Sequence, residues 1–326
     1  MIAGLVAQIA QGQTRAIARA ITLVDEGGDE AEALLAALAS ASDFLQAPVR
    51  VIGLTGSPGA GKSSLSDLLI ARYRALGQRV AVIAVDPSSP FSGGAVLGDR
   101  VRMGRHALDT GVFIRSMGAR GSLGGLAKPA RGAIRILAAA GFDIIVLETV
   151  GVGQSELDVM HAADTVTVVL TPAGGDQVQA TKAGIMEIAD LFVINKADLP
   201  GADKLAHAIE GMLDVRTPGQ LGVDDLWRPP VIQVSAVREQ GLGELLSAME
   251  AHHRHLREDG RLKARRLRQR LQELRERLKE ALWEAVDQSL QSDDQMRSTV
   301  AHVLEGTCTI EHAVEEFLAR GHRRAL

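Results

Sequence analysis

The sequence predicts an α/β fold: a three-layer domain around a mostly parallel sheet, flanked by N-terminal helices and a C-terminal helical arm. Three observations carry that prediction. Residues 47–255 alternate short apolar runs with helical segments, as a parallel sheet covered on both faces does. The runs are VRVIGLTG from Val49, RVAVIAVD from Arg79, VFIRS from Val112, FDIIVLETVG from Phe142, TVTVVLTP from Thr165, DLFVINKAD from Asp190 and PVIQVSA from Pro230. Each is β-branched and nearly continuous in apolar character, which suits strands buried on both faces. Residues 1–46 and 256–326 read instead as helix.

The N-terminal extension, 1–46, reads as two helices. The first carries Ile9, Ile17, Ile21 and Val24 at near-helical spacing and ends at Glu26-Gly27-Gly28. Its apolar, arginine-bearing start is an amphipathic helix by pattern. A secretory signal needs a longer uninterrupted apolar stretch and a cleavage site, and a mitochondrial leader is the alternative. From about 256 the character changes. Leu267, Leu271, Leu274, Leu278 and Leu282 form one stripe of a long helix filled out by Arg, Glu and Lys. One reading is a solvated helix along the domain; the sharper one is an oligomerisation arm. A last helix, TIEHAVEEFLAR, follows a break at Gly306–Thr309. The expected division is therefore a helical extension (1–46), the sheet domain (47–255) and a helical dimerisation region (256–326).

Composition narrows the class. The 326 residues carry a net charge of −4, with 46% hydrophobic and 23% charged residues, the profile of a soluble globular protein. No basic excess calls for nucleic acid, and no apolar run approaches the roughly 18 residues of a membrane span. Cys308 is the sole cysteine; it can form neither an intrachain disulfide nor a zinc knuckle, and a reducing cytoplasm is the expected compartment.

The first run leads into a phosphate-binding loop. Gly56, Ser57, Pro58, Gly59, Ala60, Gly61, Lys62 and Ser63 satisfy G-x-x-x-x-G-K-[ST], and a helical stretch continues through Ser64. Small residues let backbone N–H groups approach phosphates, and the helix N-terminus adds favourable partial charge. Lys62 should reach the β and γ oxygens, while the Ser63 hydroxyl ligates Mg2+. The fold class thereby sharpens to a P-loop nucleotide-binding domain.

Asn195-Lys196-Ala197-Asp198 chooses the base. The Asp198 carboxylate can accept two hydrogen bonds from the N1 and N2 edge of guanine, a donor pair that adenine lacks. Asn195 should brace the loops, the Lys196 stem should cover the ring, and Ser235, Ala236 and Val237 follow the next run, with a backbone N–H for the guanine O6. GTP is the expected nucleotide. Acids at or near strand ends supply hard oxygens for Mg2+: Asp86, Asp99 and Glu148. Glu148-Thr149-Val150-Gly151 is the counterpart of a D-x-x-G element, with Gly151 free to approach the γ-phosphate.

The stretches AVDPSSPFSGGAVLGDRVRM, RSMGARGSLGGL and ETVGVGQSE, together with NKAD, resemble the MeaB/ArgK family of GTPases, whose human relative is the methylmalonic aciduria type A protein. The likeness covers nearly the whole chain. It implies a homodimeric P-loop GTPase, using Mg2+ and GTP/GDP, that chaperones an adenosylcobalamin-dependent acyl-CoA mutase, usually methylmalonyl-CoA mutase. It also implies coupling to cofactor delivery from a cob(I)alamin adenosyltransferase, and to protection of the mutase. By that resemblance the Mg2+-linked acids fall on Asp86, Asp99 and Glu148. Three moving segments fall on about 86–105, 148–157 and 173–184, and Asp176, Gln179 and Lys182 become the mutase-coupling residues.

One departure matters. Val152 follows Gly151, so the glutamine expected directly after that glycine is absent and Gln154 comes later. Lys62, Glu148 and Gln154 form the candidate catalytic set. No arginine finger is assignable, although Arg115 and Arg120 lie in a stretch read as a glycine-rich loop. Slow intrinsic hydrolysis, stimulated by a partner, is expected. Two other classes compete. A P-loop small-molecule kinase needs an acceptor pocket and an arginine-rich lid that the sequence does not display. A metallochaperone GTPase of the hydrogenase or urease maturation kind needs His/Cys clusters. HHRH (252–255) is the one candidate and reads rather as a surface cluster.

Overall fold

A computed structural model describes residues 2–41, 43–87, 104–106, 108–119, 128–149, 159–172, 185–215 and 227–324. The chain divides into two compact units, Met1–Gln269 and Arg270–Leu326.

The first unit is organised by seven strands: β1 (Arg50–Thr55), β2 (Val80–Pro87), β3 (Val112–Ala119), β4 (Ile144–Thr149), β5 (Thr165–Leu170), β6 (Leu191–Asn195) and β7 (Val231–Val234). They pair in the order β3-β2-β4-β1-β5-β6-β7, every pair parallel. Each expected apolar run is one of these strands. With β1 central, its C-terminal end and those of its neighbours share one edge of the sheet, where parallel α/β folds place their ligands.

Helices cover both faces. α1 (Ile2–Ala10), α2 (Thr14–Glu26), α3 (Asp29–Ala41) and α5 (Lys128–Ala139) lie on one side. There Ile9, Ile17, Ile21 and Leu34 share a core with Val51, Ile83, Ile145 and Leu147. α4 (Lys62–Ala75) and α8 (Leu242–Arg257) lie on the other, where Leu65, Leu69 and Met249 pack on Ile52, Leu54, Val82 and Val146. Alternate residues of each strand thus enter opposite cores, so the runs had to be apolar throughout. Each fully buried Ile or Leu stabilises the fold by about 1.5–3 kcal/mol. The short α6 (Ile185–Ile188) and α7 (Ala202–Asp214) complete the layers.

The extension holds three helices where two were expected. Gly12 adopts φ 70° after α1, a left-handed conformation that stops the helix and lets Thr14 begin another. The apolar stripe continues across the break because both helices bury it in one core.

α9 (Arg261–Ser292) begins in the first unit and enters the second. The second unit continues with α10 (Asp294–Leu304) and, after the expected break, α11 (Ile310–Arg324). Asp293 interrupts the long helix and its carboxylate accepts from Met296 N–H at 3.4 Å, a weak N-terminal cap. Thr299 donates to Glu316 at 3.0 Å, tying α10 to α11. Leu267, Leu271, Leu274, Leu278 and Leu282 are 46–66% exposed, and Trp283 is 63% exposed. Among the described residues no helix is long and apolar enough to cross a membrane.

Candidate nucleotide site

β1 ends at Thr55 and the chain turns through Gly56 into the loop. Gly56 has φ 128°, and a Cβ there would lie 2.1 Å from the Val169 carbonyl oxygen of β5, so no side chain fits. The loop closes on α4, whose first residue is Lys62. Lys62 is 6% exposed, and its ammonium donates to the carbonyls of Gly56 at 2.6 Å and Ser57 at 2.9 Å. Within the loop, Ser57 and Ala60 are buried, Pro58 and Gly59 exposed; Ser64, one residue after Ser63, faces outward.

Glu148 lies in register with Leu54 at the end of β4. Its carboxylate is 2% exposed and accepts from Ser63 Oγ at 2.6 Å through Oε1. Ser66 Oγ donates to Oε2 at 2.8 Å. Thr149 Oγ1 lies 3.1 Å from Thr55 Oγ1, joining β4 to β1 beside the loop. The donor set at the start of α4 is therefore all oxygen, a carboxylate beside a hydroxyl, and that chemistry fits Mg2+.

The base-reading element sits on the same edge. Asn195 ends β6, 1% exposed; its Nδ2 donates to Ala60 O at 2.8 Å and its Oδ1 accepts from Ala236 N–H at 3.3 Å. One buried amide thus joins the phosphate loop to the segment after β7. Lys196, at φ 59°, donates to Gly59 O at 2.8 Å. Ser235 donates to Asp198 Oδ1 at 2.5 Å, and this hydroxyl holds the Asp198 carboxyl below the usual carboxylate range. Val237 is 89% exposed beside it.

These elements follow a known pattern. The family described as "Methylmalonyl Co-A mutase-associated GTPase MeaB" matches residues 17–291. The chain belongs to the MeaB family of GTPases. A Pyrococcus abyssi protein named as a GTPase is 48% identical over 268 residues, 82% of this chain and 80% of that one. GTPase ArgK of Escherichia coli is 37% identical over 82% of this chain and 81% of its own. The mouse protein "Methylmalonic aciduria type A homolog, mitochondrial" is 36% identical over 80% of this chain and 65% of its own length. Among solved structures, "Crystal structure of LAO/AO transport system kinase" matches 98% of this chain and 97% of that one, with TM-score 0.73 and 28% identity.

Of the residues singled out from sequence, the structure brings together Lys62, Ser63 and Glu148, and separately Ala60, Asn195, Lys196, Asp198, Ser235 and Ala236. Asp86 is the penultimate residue of β2, its backbone in register with Gly118 of β3; its side chain lies outside the described residues, as do Asp99, Gly151, Gln154, Asp176, Gln179 and Lys182. Two readings change. Arg115 lies on β3, not in a loop, and donates to Thr22 of α2 at 3.1 Å, which makes it a tie between layers. The HHRH histidines are not a surface cluster: His252 is 0% and His253 6% exposed. His252 pairs with Thr165 Oγ1 at 2.9 Å through Nδ1, and its Nε2 lies 3.4 Å from Asp190, with the Trp227 ring at 4.8 Å. Among the described residues no group of three His, Cys, Asp or Glu could hold a metal ion. Ser66 was not singled out from sequence, although its spacing of three from Ser63 places both on one helix face.

Proposed function

We propose that this protein is a GTP-hydrolysing switch that chaperones an adenosylcobalamin-dependent acyl-CoA mutase, methylmalonyl-CoA mutase foremost. The nucleotide part of this reading rests on Asn195, whose buried amide fixes the phosphate loop and the guanine-side segment in one frame. The mutase part rests on the family, which is described by its association with that enzyme.

Each residue has a role in this reading. The backbone N–H groups of Gly56–Ser64, Pro58 excepted because it has none, cradle the phosphates, and Lys62 moves its charge from loop carbonyls to β and γ oxygens. Ser63 and Glu148, with Asp86 and Asp99, would hold Mg2+, which would supply positive charge against the phosphates. Asp198 reads the guanine N1 and N2 donors, Lys196 covers the ring, and Ser235, Ala236 and Val237 border O6. Gly151 approaches the γ-phosphate and Gln154 orients water, so turnover is slow until a partner completes the site. Segments 86–105, 148–157 and 173–184 change with the γ-phosphate, and Asp176, Gln179 and Lys182 pass that change to the mutase. A cob(I)alamin adenosyltransferase is the expected cofactor source, the cytoplasm the compartment. The exposed leucine stripe is the homodimer contact.

Two measurements test this. GTP turnover should rise severalfold on adding methylmalonyl-CoA mutase, with a complex on gel filtration in the presence of a GTP analogue. Fast turnover alone, indifferent to the mutase, would overturn the switch reading. Leu271→Glu with Leu278→Glu should halve the mass in solution; an unchanged mass removes the arm from dimerisation.

A further inference from the structure

In the site, one carboxylate is held by two hydroxyls of one helix. Ser63 and Ser66 stand three residues apart on α4, so their side chains project from the same face. Ser63 Oγ donates to Glu148 Oε1 at 2.6 Å and Ser66 Oγ to Oε2 at 2.8 Å. Both carboxylate oxygens are therefore fixed, each by its own donor. Ser66 is fully buried, in a helix turn whose neighbours Leu65, Leu68 and Leu69 are core residues. Burying a hydroxyl in such a place costs free energy unless its hydrogen bond is made, and here it is.

Geometry gives this second contact a purpose. The strand-end acid is Glu, one methylene longer than Asp, with one more torsion to fix. A carboxylate that must present an oxygen beside Ser63 gains nothing from that freedom, and a site 1 Å too loose loses function. Ser66 removes it by holding the far oxygen. We propose that Ser66 is a positioning residue for the metal site: it orients Glu148 so that Oε1 stays beside the Ser63 hydroxyl, and it thereby sets the affinity for Mg2+ in the nucleotide complex. This rests on the reading of Ser63 and Glu148 as the Mg2+ side of the nucleotide site. Ser66 acts through the carboxylate that it holds.

The test titrates Mg2+ against the full-length protein carrying a fluorescent GDP, and separately measures GDP affinity in EDTA. Wild type should show Mg2+-dependent tightening; if it shows none, the underlying site reading fails, whatever Ser66 does. Given that tightening, Ser66→Ala should raise the half-saturating Mg2+ concentration about ten-fold, equivalent to about 1.4 kcal/mol. GDP affinity in EDTA should stay within two-fold. An unchanged half-saturation point, or an equal loss in EDTA, overturns the proposal. Ser66→Thr and Ser66→Val are nearly isosteric and differ in the hydroxyl, so their comparison reads the oxygen even if the alanine variant is unstable. Threonine should remain near wild type and valine should match alanine; equal values for the pair overturn the idea. In a Glu148→Asp background, where the shorter carboxylate cannot span both serines, adding Ser66→Ala should change little further. A full additive ten-fold loss there would place the action of Ser66 somewhere other than Glu148.

Discussion

At the N-terminal edge of the sheet, Asp164 and Asp190 each precede a strand and each holds an arginine from the start of α9. At the C-terminal edge, Glu148 lies one residue before the end of β4 and holds two serines of α4. Both edges bury carboxylates, yet they are built differently. Arg266 meets Asp164 through two bonds, at 2.9 and 2.7 Å, and also donates to the carbonyls of Phe44, Ala47 and Val49. Arg265 meets Asp190 at 2.9 and 2.8 Å. The same carboxylates accept Val51 N–H and Val166 N–H, the amides of the strands beside them. Opposite charges there are paired within the protein. The Lys62 ammonium donates to two carbonyls of its own loop. Burial of charge marks both edges; the carboxylates of one are held by arginines, the carboxylate of the other by hydroxyls.

Breaking the closed edge should have the largest effect. Arg266→Met strands Asp164 as a buried carboxylate and removes a tie to residues 44–49, which should cost about 3–5 kcal/mol in a denaturant titration. Adding Asp164→Leu should recover only part of this, because Val51 N–H then loses its acceptor. The surviving folded protein should bind GTP normally. A loss below about 1 kcal/mol would make the pair dispensable and erase the contrast between the edges.

Lys62→Ala tests the open edge. GTP affinity should fall on the order of a hundred-fold, about 3 kcal/mol, since charge-assisted bonds to the phosphates vanish. Stability in the absence of nucleotide should fall by less than it does for Arg266→Met. A large stability loss would show that Lys62 belongs with the structural charges. Asp198→Asn should act more narrowly. It should weaken GTP by roughly 2 kcal/mol and favour xanthosine triphosphate, whose C2 carbonyl can accept from the new amide. Loss of both nucleotides alike would deny Asp198 its reading role.

The sequence made one edge far more legible than the other. The seven strands could be read because a strand buried on both faces is apolar along its whole length, and each run stood out locally. The phosphate loop and NKAD are also local, their residues adjacent in the chain and their chemistry set by spacing. The closed edge is built from long-range pairs: Asp164 lies 102 residues from Arg266, and Asp190 lies 75 from Arg265. No period or spacing links them, so Arg265 and Arg266 read as ordinary members of a charged helix. His252 and His253 misled for the same reason, since their burial depends on elements such as Thr165 and Asp190 that lie far off in sequence. Ser66 escaped because its partner Glu148 is 82 residues away.

The two edges should also part company on acidification, with the smallest expected effect. At the closed edge, burial pushes the His253 imidazole down to about 4, with the nearby Arg50 adding to the push. Its unfolded value is about 6.5, so between 6.5 and 4 the unfolded chain binds the proton more readily and stability falls as pH drops. At pH 5 the loss should be about 1–2 kcal/mol relative to pH 7, seen as a lower Tm. Asp190 adds no pH dependence in this window, its contribution being fully present throughout it. Burial alone would raise it, but Arg265 and His252 outweigh burial and hold it well below the carboxylate range, so its contribution is lost only at lower pH. At the open edge Asp198 is already held down by Ser235 and stays ionised at pH 5. The preference for GTP over ATP should therefore be unchanged from pH 8 to 5, while Tm declines across the lower half of that range. His253→Gln should flatten the Tm slope between 6.5 and 5; if the slope persists in that variant, the acid sensitivity belongs to another group and the closed edge is not its source.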